Sequence, residues 1–210
     1  MKNNRFDATF IAQMGLLISI ELVMKLTGLG SVPVGPLYMS FLTVPIAIGA
    51  MLLGPMAGAI TGAVFGLVSF YDAMTGASVM TGAFFQISPL NTFVLCVVMR
   101  VLMGVAVGYL FRFFRAIDKH GTFCYLLGAV SAPLLNTLFF MGYICLVFYK
   151  TDYIQNLVAK LGVTNPVSFV VALVGFQGIC EAVVCGVVGT VVAKTLAHVM
   201  PSAFRRKAIA

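Results

Sequence analysis

Residues Gln86 to Arg115 read QISPLNTFVLCVVMRVLMGVAVGYLFRFFR, and this stretch decides the class of the whole chain. It opens at Ser88-Pro89, continues as an apolar helix pattern, and closes at the basic residues Arg112 and Arg115. Arg100 stands near its middle, roughly 15–18 Å from either end at about 1.5 Å per residue. A bilayer core is about 30 Å thick, so a segment of this length spans it and carries the guanidinium close to the midplane. The group cannot shed its proton there, and its placement costs about 3 kcal/mol or more unless an anion answers it. The rest of the chain must supply a buried counter-charge or bind an anionic guest.

The composition agrees with a membrane solvent. Apolar residues make up 61% and charged residues 9% of the 210, where a soluble domain carries about 25% charged. The net charge of +7 does not signal nucleic acid, because most basic residues flank apolar segments and act on topology. Cys96, Cys124, Cys145, Cys180 and Cys185 lie inside apolar runs with no CxxC pair, so they read as small buried hydrophobes and not as a disulfide or metal framework. No cofactor is expected. The chain has no Gly-Lys pair and hence no P-loop, and it has no HExxH. Gly76-Ala77-Ser78 offers a serine without a histidine at matching depth. These residues indicate no enzyme.

Working outward, the hydropathy pattern predicts an all-α integral membrane protein. One domain over 1–210 would hold six transmembrane helices at about 8–26, 38–53, 56–71, 89–111, 122–149 and 167–199. The first run is long and lacks a small-residue cleavage site, so it reads as a retained span. Glu21 and Lys25, spaced i,i+4, are expected to neutralise each other. Gly28–Leu37 and Asp72–Ser88 read as outer loops rich in Gly, Ser and Thr or Pro, and Lys150–Pro166 as a polar loop. Gly54, Gly58, Gly62 and Gly66 repeat every four residues, which lets helix backbones approach closely in lipid. Six spans put both termini on one side. That side collects Lys2, Arg5, Arg112, Arg115, Lys119, Lys194, Arg205, Arg206 and Lys207, against Lys25, Lys150 and Lys160 on the other. The N-terminus and C-terminus are therefore expected in the cytoplasm.

Depth then groups the polar residues. Asn136 lies midway along the fifth span, and Gln177 and Glu181, i,i+4 neighbours, lie roughly 15–22 Å down the sixth. These three fall level with Arg100, and Asn91 sits about two turns above it. Polar residues in spans face the bundle interior and are functional candidates by default. Two readings stay open: a structural Arg100–Glu181 ion pair, or a small polar guest held at the outer end beneath the two outer loops. His120 and His198, at cytoplasmic helix ends, read as surface residues.

These residues resemble a family, the substrate-binding S-components of energy-coupling factor (ECF) vitamin transporters. The resemblance covers nearly the whole chain and rests on VPVGPLYMSFLTVPIAIGAMLLGPMAGAITGAVFGLVSF, on ISPLNTF and on RVLMGVAVGYLF. Within the family the chain is most similar to the pantothenate branch, through FGLVSF (Phe65–Phe70), CVVMRVLMG (Cys96–Gly104), NTLFFMG (Asn136–Gly142) and KTDYIQN (Lys150–Asn156). Folate and riboflavin branches share the architecture, and a solitary secondary transporter is the rival outside the family. The resemblance implies a multi-pass protein of a prokaryotic cell membrane that captures a vitamin from outside. It would deliver that vitamin to a transmembrane coupling protein seated on two cytoplasmic ATPases. A carboxylate, an amide and two hydroxyls of pantothenate would meet Arg100, Asn91, Asn136, Gln177 and Glu181, with Tyr38, Tyr71 and Gln86 completing a lid. The family docks through an AxxxA pattern in its first span. Here that turn reads Gly15 to Ser19, with Ala8 and Ala12 one turn earlier, so the register of the contact stays open.

Overall fold

Among the described residues five helices are long and apolar enough to cross a membrane: α1 (Ala8–Leu26), α3 (Pro55–Thr75), α5 (Pro89–Ile117), α6 (Phe123–Phe148) and α8 (Pro166–Val199). The computed structural model describes residues 8–34, 37–118, 121 and 123–199. Lys2, Arg5, Lys119, Arg205, Arg206 and Lys207, used above to orient the chain, lie outside the described residues, as does His120. Helix starts follow from local chemistry. Pro55 and Pro166 occupy first-turn positions where no N–H is needed. Asn165 caps α8 by accepting a bond from the Ser168 N–H at 2.8 Å. Gly54, at φ +93°, makes the reversal into α3 that a side chain would strain.

The second expected span differs from the expectation. Residues 38–42 are not helical. Ser31–Val34 (β1) and Leu37–Ser40 (β2) pair antiparallel, with Ser31 opposite Ser40, and helix α2 begins only at Thr43 and ends at Leu53. At about 1.5 Å per residue α2 is roughly 16 Å long, about half a bilayer core. Backbone outside a helix is tolerable next to lipid where protein groups bond it, and α8 side chains bond β2 at Tyr38 and Ser40, as described below.

Two expected loops also contain helices. Val79–Ile87 (α4) buries Met80, Thr81 and Phe84 on one face, and Asp152–Leu161 (α7) buries Ile154 and Val158. Both are short and α7 is amphipathic, so hydropathy alone does not separate them from loops. Their apolar faces close a second core with Leu95, Phe148 and Phe169 at one end of the bundle. Phe84 stacks on Phe148 with ring centres 4.3 Å apart. The larger core joins α2, α3, α5, α6 and α8 through Ile46, Met51, Phe65, Met103, Phe111, Ala129 and Cys185.

The glycine repeat packs α3 on α5, backbone to backbone. A Cβ on Gly66 would stand 2.6 Å from Val97 Cα, and one on Gly108 2.6 Å from Pro55 Cα. Side chains at Gly58 and Gly62 would run into the carbonyls of Gly104 and Arg100. Only glycine permits this approach. It sets the Arg100 backbone directly against α3, one turn from Phe65.

Candidate functional site

Arg100 follows a stretch of wider, i→i+5 turns at Val94–Val98 within α5, a feature often found where a helix turns a side chain toward a site. Its Nη1 donates to the Cys96 carbonyl at 3.1 Å. The guanidinium carbon lies 4.2 Å from the Phe65 ring centre and 4.8 Å from that of Phe140. Two aromatic faces thus clasp the cation, each worth about 0.5–2 kcal/mol. Arg100 is 7% exposed, and its Nε has no hydrogen-bond partner among the described residues.

Glu181 does not pair with Arg100. Its Oε1 accepts the Ser40 N–H at 2.6 Å and the Gln177 side-chain amide at 3.2 Å. The same Gln177 Nε2 donates to the Tyr38 carbonyl at 2.7 Å. The carboxylate answers the inserted hairpin in place of the cation, because β2 brings an otherwise unpaired backbone donor to its depth. The reading of Arg100 and Glu181 as an internal ion pair is therefore corrected.

The Glu21–Lys25 pairing is corrected as well. Lys25 forms its ion pair with Asp72, across at the end of α3, and donates to Ser31 Oγ at 3.3 Å. The lysine reaches to the polar end of the bundle, where both partners converge. Glu21 stays one turn behind, 2% exposed, with neither carboxylate oxygen hydrogen-bonded among the described residues.

Between these groups lies a cavity of about 80 Å³, room for roughly six waters at about 10–15 Å³ each. Arg100, Asn136, Gln177, Glu181 and Tyr38 line it, so five of the residues singled out by depth and by resemblance meet in one wall. Tyr71 and Gln86 are exposed and outside this lining, and Asn91 instead accepts a bond from the Tyr143 hydroxyl at 3.2 Å. Sequence reasoning missed Ser40, Ser69, Thr81 and the Lys25–Asp72 pair, all lining residues. It missed Phe65 and Phe140 too. The available signal was spacing: Phe140 stands one turn from Asn136, and Phe65 sits between Gly62 and Gly66.

Four buried atoms of this lining lack a hydrogen-bond partner among the described residues: Arg100 Nε, Ser40 Oγ, Thr81 Oγ1 and Gln177 Oε1. They are a cationic donor, two hydroxyls and an amide acceptor, carried by residues of one partly open lining. Buried polar atoms are normally paired, so four unpaired ones on one lining mark it as the candidate site. The hairpin closes over it. Tyr38 donates its hydroxyl to the Ala77 carbonyl at 2.7 Å, which ties β2 to the turn between α3 and α4.

Ala8, Ala12, Gly15 and Ser19 lie along one exposed stripe of α1, and Ser19 Oγ donates to the Gly15 carbonyl at 2.8 Å. The family model described as "ECF transporter, substrate-specific component" matches residues 9–193. No curated protein matches the chain.

Proposed function

Because the chain belongs to the ECF transporter substrate-specific component family, whose members bind substrate for an importer and are not enzymes, we propose that it captures pantothenate from outside the cell. The observation that carries this reading is the Arg100 guanidinium, held between two rings and in no salt bridge among the described residues, beside three polar atoms that lack a hydrogen-bond partner among them. A vitamin carboxylate would take the two-pronged donor. Its amide and hydroxyls would pair with Ser40, Thr81, Asn136 and Gln177, which both donate and accept. Glu181 and Tyr38 act through the hairpin they hold. Tyr71, Gln86 and Asn91 belong to the route by which the vitamin enters. Among the described lining residues Arg100 is the one cation outside a salt bridge, which favours an acid with one carboxylate over folate, which has two, or riboflavin, which has none.

In this reading the hairpin and α2 together make a sixth crossing, so one domain carries six passes and both termini face the cytoplasm of a prokaryotic cell. The stripe Ala8, Ala12, Gly15 and Ser19 offers a close-packing face to a transmembrane coupling protein. Two cytoplasmic ATPases supply the energy that this chain, without a P-loop, cannot.

The test is calorimetry on the purified chain with pantothenate, folate and riboflavin. One-to-one binding of pantothenate alone is expected, and it should be lost in Arg100→Ala and weakened in Asn136→Ala and Gln177→Ala. Binding that survives all three changes in folded protein removes the site. Vitamin uptake by proteoliposomes holding this chain alone would favour a solitary transporter.

A further inference from the structure

Helices α6 and α8 run antiparallel and touch over only part of their length. Where they touch, a Cβ on Gly186 would stand 3.0 Å from Val130 Cγ2, and one on Gly189 3.1 Å from Ala129 Cβ. About two turns further along α8 they part. A Cβ on Gly178 would find only Thr137 Oγ1, at 4.0 Å, and one on Gly175 only Val171 Cγ1 of its own helix, at 3.7 Å. On the facing helix a Cβ on Gly142 would find nothing within 4 Å. The glycines of α3 let two backbones meet, whereas these three leave a gap. It is a cleft of about 870 Å³. Among the described residues its lining carries no charge, and Thr137 supplies the one hydroxyl. Leu134, Leu138, Val171 and Ile179 along it are exposed, and both helices are long and apolar enough to cross a membrane, so the cleft opens to lipid. Thr137, Met141, Val174 and Gly178 line the ligand cavity as well. The same four residues therefore separate the two spaces.

We propose that one acyl chain of a membrane lipid seats in this cleft and backs the wall of the ligand cavity. An empty cleft would leave its lining without dispersion partners on one side, and the bilayer supplies an apolar filler at that depth. Width selects a chain over a partner helix. A helix with its side chains is about 10–12 Å across, too broad for a gap made by three missing side chains between helices still in contact at Gly186 and Gly189. A single polymethylene chain enters such a gap. The backing role rests on the reading of the cavity as the vitamin site. Met141 is unbranched and easily displaced, and Gly178 has no side chain, so the wall they share keeps its shape when it is filled from the lipid side.

The experiment places the full chain in nanodiscs of phosphatidylcholine whose acyl chain carries a diazirine near its middle, and maps the photo-adducts by mass spectrometry. Adducts are expected to concentrate on Thr137, Leu138, Met141 and Ile179, several-fold above Leu16 and Val23 of α1 and Leu67 of α3, which are exposed apolar residues outside the cleft. Gly142→Leu with Gly175→Leu fills the cleft and should bring the adducts down to that level. Either single change serves if the double variant fails to fold. Adducts spread evenly over the exposed apolar residues overturn the proposal, as does a concentration unchanged in the variants. The backing role has its own readout. Diphytanoyl chains, broadened by methyl branches, should seat poorly, so the Kd for pantothenate should rise several-fold in that lipid for the unmodified chain and stay level for the filled variant. An equal Kd in both lipids for the unmodified chain overturns the backing role. The adduct map needs no vitamin, so a chain that does not bind pantothenate and a cleft that does not hold lipid are told apart.

Discussion

Replacing Arg100 by methionine separates binding from folding. The side chains are similar in reach, so the change removes the charge while leaving most of the packing between Phe65 and Phe140. In the empty protein three terms oppose one another. A cation near a bilayer midplane costs about 2.5–3.5 kcal/mol by insertion scales. Two aromatic faces return about 0.5–2 kcal/mol each, and a hydrogen bond from a charged donor to the Cys96 carbonyl returns about 1.5–3 kcal/mol. At the middle of these ranges the returns exceed the cost by about 2 kcal/mol, so Arg100→Met should destabilise the unliganded chain by no more than about 2 kcal/mol. Binding behaves differently. Removing one partner of a buried, hydrogen-bonded charge pair costs about 2–5 kcal/mol, which is about 30- to 5,000-fold in Kd. Calorimetry gives the affinity, and thermal or denaturant unfolding in detergent gives the stability. Binding within threefold of the parent would refute the assignment of Arg100 to a ligand carboxylate. A destabilisation beyond about 3 kcal/mol would refute it differently, by showing an internal partner whose loss leaves a buried charge unpaired.

Three further outcomes follow from the same geometry. Glu181→Ala leaves the Ser40 N–H without its acceptor at a cost of about 1–3 kcal/mol. Amide exchange at Ser40 and the vitamin off-rate should both rise, and an unchanged off-rate would deny the hairpin its role as a cover. Gly62→Ala drives a methyl into the Arg100 carbonyl, so it should lose about 1–3 kcal/mol of stability together with affinity. Gly142→Ala meets nothing within 4 Å and should gain up to about 1 kcal/mol in its helix, and a reversed order of the two melting temperatures would contradict the packing. Asp72→Asn removes a partly exposed ion pair worth about 0.2–1 kcal/mol, so its effect on unfolding should be small and should shrink further in high salt.

Depth along a span was readable because it depends only on counting residues. That is why Arg100, Asn136, Gln177 and Glu181, on three helices, could be grouped before their side chains were located. Azimuth was not readable. Asn91 lies at a reasonable height yet turns to Tyr143, and nothing in ISPLNTF states which way that face points. Pairing by spacing failed for Glu21 and Lys25, because i,i+4 separation describes what a helix alone allows and not what a neighbouring helix offers. Asp72, 47 residues further on, could be matched to Lys25 only once α1 and α3 were side by side. The hairpin was hidden for another reason. Leu37 to Leu42 is apolar enough to continue a span, and the decision against helix comes from Glu181 and Gln177, whose side chains capture the backbone of β2. The two aromatic clasps were invisible because phenylalanine is an ordinary residue in any membrane helix. The glycines were the exception, since their four-residue repeat states both the face and the closeness of the neighbour.

The bond between Ser40 and Glu181 joins residues 141 positions apart, and this separation has a consequence for biosynthesis. At about 5–20 residues per second a ribosome needs roughly 7–28 s to travel from one to the other. For that interval the hairpin is already made while the helix that anchors it does not yet exist. Its backbone donors must wait in the insertion machinery or at the lipid headgroups, where water or other protein can satisfy them. The candidate pocket is therefore incomplete in every nascent chain until α8 enters. A chain truncated before α8 should leave its second segment poorly inserted and open to membrane proteases, so that only completed chains accumulate as receptors.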